Sequence, residues 1–227
     1  MSTSATCKSM SSFVISPVLP PNFMAENPPR DRPLKLGILA SGSGTNFEAI
    51  AEAISTQQLN AQIQVLIYNN PRATVLERAE RRNIPAVLLN HRHFKKREDF
   101  DRKIVETLRD LDVELVVMAG WMRILTRVLF EGFPNRILNI HPSLLPSFKG
   151  AHAVEDALEA KVKITGCTVH FATLEVDSGP ILIQAAVPIL PGDTAQTLHD
   201  RIQEREYEIY PQAIAMAART LAGFPLP

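Results

Sequence analysis

The segment Leu138-Asn139-Ile140-His141-Pro142-Ser143-Leu144-Leu145-Pro146 sets a carboxamide and an imidazole two residues apart at the end of an apolar run. In extended backbone, residues i and i+2 point to the same side of a strand. Asn139 and His141 can then address one reacting atom together, with Ile140 turned inward. Pro142 stops the strand, so the pair is expected at a strand's C-terminal edge, where open α/β sheets hold ligands. An amide donor beside a group that titrates near neutral pH suits acyl transfer, which needs an oxyanion partner and a proton shuttle. The same spacing also fits a strand end with two incidental polar residues.

A second candidate is Ser41-Gly42-Ser43-Gly44-Thr45-Asn46, between the apolar run 35–39 and a helical pattern of Phe47, Ile50, Ala51 and Ile54. At such a junction, backbone N–H groups and the helix dipole form a cradle for phosphate. A dinucleotide fingerprint is excluded, because its third glycine position holds Phe47. A Walker A loop is excluded as well, because no lysine follows Gly44. A pocket for one terminal phosphate fits, and so does a tight turn that needs positive φ at Gly42 and Gly44.

The elements that would position these residues alternate. Apolar runs at 35–39, 63–68, 85–89, 115–119 and 137–140 are interleaved with helical patterns after Asn46, after Thr74 and through Phe100, Ile104 and Leu108. That rhythm predicts an α/β fold: an open, mostly parallel twisted sheet with helices on both faces. Runs at 165–171 and 181–188, joined by the turn 176–180, predict an antiparallel pair added at the sheet edge. A last helix is expected over 194–221, with Leu198, Ile202, Ile209, Ile214 and Ala217 buried and Pro211 kinking or splitting it.

The chain has 227 residues, 45% hydrophobic and 21% charged, with Lys+Arg and Asp+Glu equal at 24. Those values predict one soluble domain and give no basic field for nucleic acid. Cys7 and Cys167 form no disulfide framework and no zinc knuckle, and no run is long and apolar enough to span a membrane. A cytoplasmic protein is expected. Residues 1–33 are rich in serine and proline and predict a disordered leader. An inert tail, a transit peptide and an over-extended reading frame whose real start is Met24 all fit it. His91 and His93 form an isolated pair without a third ligand, so no metal is expected.

Taken together, Ser41–Asn46, Ala119-Gly120-Trp121-Met122-Arg123-Ile124-Leu125, Leu138–Pro146 and Asp177-Ser178-Gly179-Pro180 resemble the glycinamide ribonucleotide formyltransferase family. These are the folate-dependent enzymes of purine synthesis, and the resemblance spans about residues 35 to 215. It implies a single formyltransferase domain over 34–227, with a nucleotide-binding half to about residue 130 and a folate and catalytic half from about 131. Asn139, His141 and Asp177 are implied as catalytic, with Asp177 bonding the imidazole. Gly44, Thr45, Asn46 and Glu206 would hold glycinamide ribonucleotide. Arg97, Met122, Arg123, Ile124, Leu125 and Asn139 would hold 10-formyltetrahydrofolate, a co-substrate. A helix start at Lys95-Lys96-Arg97 and a solvated face at Glu204 to Glu208 are the plainer readings of Arg97 and Glu206.

The Asn-x-His-Pro-Ser segment is also similar to the wider superfamily, which includes methionyl-tRNA formyltransferase and formyltetrahydrofolate deformylase. The first normally adds a C-terminal barrel and the second an N-terminal regulatory domain, and neither is expected here. Small-molecule substrates are implied, without nucleic acid or membrane, in a monomer or homodimer. Deformylation of 10-formyltetrahydrofolate and non-catalytic folate or nucleotide binding stand as alternatives.

Overall fold

The computed structural model describes residues 14–20, 23–24 and 32–224. Its strands are β1 (Ile15–Ser16), β2 (Leu34–Ala40), β3 (Ala61–Tyr68), β4 (Ala86–Leu88), β5 (Leu115–Met118), β6 (Ile137–His141), β7 (Ile164–Phe171) and β8 (Ile181–Pro188). Its α-helices are α1 (Thr45–Ser55), α2 (Val75–Arg81), α3 (Arg97–Asp110), α4 (Arg127–Gly132), α5 (Ala153–Glu159) and α6 (Ala195–Leu221). The strands form one sheet in the order β1-β8-β7-β6-β5-β2-β3-β4. From β4 to β6 every pairing is parallel, whereas β7, β8 and β1 join antiparallel. The expected α/β architecture is the one observed.

The pleat divides the core in two. Leu36 and Ile38 of β2 face a cluster built with Phe47 and Ile50 of α1 and with Ile202, Ile209 and Ile214 of α6. Leu39 faces the opposite cluster, with Phe100, Ile104 and Leu108 of α3 and Leu129 of α4. Burial on both faces explains why the parallel strands read as continuous apolar runs. The sheet crosses residue 130 without a break, and the first cluster draws on residues from 23 to 218. Residues on both sides of 130 therefore pack into the same cluster.

Three expectations are corrected. The first concerns Pro211, which does not split the last helix: α6 continues through it as one helix of 27 residues. Ile209, Tyr210, Pro211, Ala213 and Ile214 are all buried there, and the Tyr210 hydroxyl donates to the Met118 carbonyl at 2.9 Å. Tertiary packing on that scale outweighs a missing intrahelical bond. The short helices α4 and α5 were absent from the periodicity reading, since six or seven residues hold too few repeats to show a pattern.

The leader is the third correction. Its described residues belong to the fold. Ile15 and Ser16 lie against Ala185 and Gln184, and the Ala186 N–H donates to the Val14 carbonyl at 2.9 Å. Phe23 is buried in the main core cluster, and the Arg219 guanidinium lies over both Phe23 and Phe224, 5.5 and 5.3 Å from the ring centres. The edge of β8 presents backbone groups that need partners, and a short strand supplies them. Average composition over 33 residues conceals so local a fit. The rest of the expected leader lies outside the described residues. Among those described, no helix is long and apolar enough to cross a membrane.

Candidate active site

Strand β6 delivers Asn139 and His141 to one end of the sheet, and register supplies their neighbours. Asn139 stands opposite His170 of β7, and His141 opposite Thr168. The Asn139 amide nitrogen lies 3.2 Å from His170 Nε2 and 3.4 Å from Asp177 Oδ1. Asp177 Oδ2 in turn lies 3.4 Å from His141 Nδ1. His141, His170 and Asp177 are all buried.

The other ring nitrogen of His141, Nε2, lies 2.8 Å from the Phe148 carbonyl. A carbonyl only accepts, so Nε2 carries a hydrogen. Nδ1 is therefore the nitrogen free to gain or lose a proton, and it faces Asp177. The same reasoning applies to His170, whose Nδ1 lies 3.0 Å from the Phe171 carbonyl. Its Nε2 stands between the Asn139 amide and Asp177 Oδ1, 3.7 Å away.

Asp177 is held by unusual backbone. Its own φ is 51°, and the Gly150 N–H donates to Oδ2 at 3.0 Å. Gly179, two residues on, packs so closely on the Phe171 carbonyl that a Cβ would collide with it. Burial by itself raises the pKa of Asp177. The His170 bond, the Gly150 N–H and the charges of both imidazoles outweigh it and hold the carboxyl below its ordinary range.

On one side of this cluster lies the glycine-rich loop. Gly44 is the N-terminal cap of α1 with φ 73°, and a Cβ there would collide with Val75. Positive φ occurs at Gly44 and not at Gly42, which corrects half of that expectation. Asn46 is buried and donates from Nδ2 to Glu206 Oε2 at 2.8 Å, while its Oδ1 has no partner among the described residues. Glu206 is buried as well. Burial pushes its pKa up, against the opposing Asn46 bond and the charge of His199. His199, Gln203 and Glu206 sit at helical spacing along one face of α6 and line the same cavity.

On the other side lies the segment after β5. Met122, Arg123, Ile124 and Leu125 line the cavity, with Met122 75% and Ile124 61% exposed. Arg97 is not brought into the cavity lining. Its guanidinium reaches the outer side of this segment and donates to the Ile124 carbonyl at 2.9 Å. The whole cavity measures about 730 Å³ and reaches from Gly44 and Glu206 past Asn139 and His141 to Ile124. Among the described residues, no group of three or more His, Cys, Asp or Glu side chains could hold a metal ion.

The sequence pattern of the formyl transferase family matches residues 34–214. The chain belongs to the formyl transferase family. Among its relatives, the phosphoribosylglycinamide formyltransferase of Bacillus subtilis is 39% identical over 180 residues, which are 79% of this chain and 92% of that protein. The human trifunctional purine biosynthetic protein adenosine-3 is 42% identical over 184 residues, 81% of this chain, and the chain spans only 18% of its length. The glycinamide ribonucleotide transformylase 1 of Symbiobacterium toebii superposes with a TM-score of 0.83 at 44% identity, covering 84% of this chain and 90% of that one.

For a formyl transferase, the cluster offers an amide donor, a proton-bearing imidazole and a carboxylate around one point. An acyl oxygen placed there would meet donors on two sides, the arrangement that stabilises a tetrahedral oxyanion. The sequence points to Asn139, His141 and Asp177, whereas for His170 a place at the border of the site and a place in the packing fit it equally. His170 lies on a strand whose register is not readable from local pattern, and only that register puts it opposite Asn139. Likewise Phe148 and Gly150 contribute through backbone atoms, which no side-chain motif reveals. His199 and Gln203 carried a usable signal, since both fall one or two turns before Glu206 on the same helix face.

Proposed function

We propose that the chain transfers the formyl group of 10-formyltetrahydrofolate to the amine of glycinamide ribonucleotide, giving formylglycinamide ribonucleotide and tetrahydrofolate. The observation that carries this reading is the position of the Asn139, His141 and Asp177 cluster. It sits in the middle of one cavity, between a glycine-rich helix start and an apolar, exposed wall. The ribonucleotide phosphate belongs at Gly44, Thr45 and Asn46, where a helix N-terminus favours an anion. Glu206 belongs to the same substrate, and Asn46 Oδ1 remains as an acceptor for it. The folate belongs against Met122, Arg123, Ile124 and Leu125.

The amine attacks the formyl carbon, a C–N bond forms and the carbonyl electron pair moves onto oxygen. Asn139 donates its amide N–H to that oxyanion, and the positive charge of protonated His141, whose Nδ1 is paired with Asp177, stabilises it from alongside. The attacking nitrogen then loses a proton, and folate N10 takes one as its bond to the formyl carbon breaks. His141 serves as the relay. Asp177 holds the imidazole and remains ionised because its pKa is low. Holding both substrates in line supplies much of the remaining acceleration. Neither a covalent enzyme intermediate nor a metal is needed, and the reaction belongs in the cytoplasm.

The test is substrate dependence. Consumption of 10-formyltetrahydrofolate by the purified chain should require added glycinamide ribonucleotide. Equal turnover without that acceptor would make the chain a deformylase and overturn the reading. Tight binding without product would make it a non-catalytic module.

A further inference from the structure

From Gly120 to Thr126 the chain is irregular, and backbone of that kind has no ladder to fix its shape. Side chains fix it instead. The Ser41 hydroxyl accepts the Met122 N–H at 3.0 Å, Arg97 donates to the Ile124 carbonyl at 2.9 Å, and Asp101 accepts the Thr126 N–H at 2.6 Å. Phe100 lies between the last two anchors and stacks on Trp121, with ring centres 6.1 Å apart and planes 5° from parallel. Arg97, Phe100 and Asp101 all come from the first turns of α3, so that helix end and the segment form one unit.

Asp101 is the least expected member. The residue is 3% exposed and sits beside the apolar stripe of Phe100, Ile104, Val105 and Leu108. Burying a carboxylate is costly, and an apolar side chain would cost less at that position. Burial raises its pKa, while the Thr126 N–H and the charges of Arg97 and Arg123 pull it back. Its short bond to Thr126 closes the far end of the segment that carries Met122 to Leu125.

We propose that Asp101 is a positioning residue for the formyl donor: its bond to the Thr126 N–H holds the Met122–Leu125 wall in the shape that the donor meets. The proposal rests on the donor site assigned above. Asp101 does not line the cavity, so its effect passes through the backbone. Displacing a binding wall by about an ångström costs about tenfold to a hundredfold. That loss should fall on the donor alone.

The experiment compares Asp101→Ala and Asp101→Leu, neither of which can accept the Thr126 N–H, with the parent chain in steady-state assays that vary each substrate separately. KM for 10-formyltetrahydrofolate should rise about tenfold or more, with kcat at saturating donor and KM for the ribonucleotide within about twofold. Trp121 is the chain's only tryptophan and lies within the segment, so its emission should shift in both variants. If the leucine variant fails to fold, the alanine variant carries the test. A lower unfolding temperature with both KM values and the emission unchanged would reduce Asp101 to a structural role and overturn the proposal. Arg123→Ala and Ile124→Asp separate the two readings. If they also leave donor KM unchanged, the donor is not on this wall and the site assignment fails. If they raise it while the Asp101 variants do not, the positioning proposal alone fails.

Discussion

The two walls of the cavity are built differently. Around Asn139, His141 and Asp177 the side chains are buried or half-buried, and they bond to one another from β6, β7 and the turn before β8. The wall from Met122 to Leu125 is irregular, with Met122 and Ile124 exposed, and side chains from elsewhere hold its backbone. Strand register fixes atoms to within the tolerance that proton transfer and oxyanion stabilisation need. An exposed apolar strip gives contact area, and contact area tolerates small changes. Chemistry and donor binding are therefore expected to respond to mutation on different scales.

The strongest way to break that contrast is to remove groups from the buried wall. Asn139→Ala should lower kcat about 10² to 10³-fold, the usual loss for one oxyanion donor. His141→Ala should lower it about 10² to 10⁴-fold. KM for either substrate should change little in both, because these contacts strengthen as the oxyanion forms. By comparison, Met122→Ala on the open wall should change kcat/KM by only about tenfold, the value of a few buried methylenes. Equal losses on the two walls, measured in one assay, would abolish the distinction.

A smaller effect tests the ribonucleotide end. Glu206→Gln removes a charge but keeps the size and one acceptor oxygen. Affinity for the ribonucleotide should fall about tenfold, within the range for hydrogen bonds to charged groups. Stability should move the other way at neutral pH. Because burial raises its pKa, Glu206 keeps its proton in the folded chain at pH values where the unfolded chain has released it. Its contribution is thus fully present below the ordinary carboxylate range and is lost as pH rises through the raised value. Glutamine cannot ionise and is spared that loss. Thermal unfolding from pH 4 to 8 should show the variant gaining on the parent as pH rises. Asp177 has the opposite sign: its pKa is lowered, so its contribution is present above the ordinary range and disappears in acid. A Glu206→Gln variant that lost stability at pH 8 would mean that the ionised carboxylate is a structural asset.

The contrast between walls also explains what was legible in the chain. Asn139 and His141 lie two residues apart on one strand, so their spacing alone predicts that they share a side. Gly44 and the helix after it are local as well. His170 and Asp101 depend on which strand pairs with which and on which helix turn meets which loop, and neither is encoded within a window of ten residues. Arg97 was placed correctly at a helix start, yet its side chain bonds the back of the donor wall. The leader shows a different limit: its serine and proline content is real, but Val14, Ile15 and Phe23 find partners only after β8 and α6 exist.

The smallest expected effect on activity comes from that leader. Phe23 is buried against the core and stacked with Arg219, far along α6 from Glu206. Phe23→Ala removes a ring from a packed site and should destabilise the fold by about 3 kcal/mol. For a domain of this size that corresponds to a fall of roughly 6–12 °C in Tm. Well below the transition, kcat and both KM values should match the parent, because Phe23 does not itself line the cavity. The two readouts together decide what the segment is. A lower Tm with unchanged kinetics makes it part of the fold that bears on stability alone. A Tm equal to the parent's would return it to an ornament on the edge of β8. Altered kinetics at full folding would mean that strain at the far end of α6 reaches Glu206, and the two ends of that helix would then act as one rigid lever.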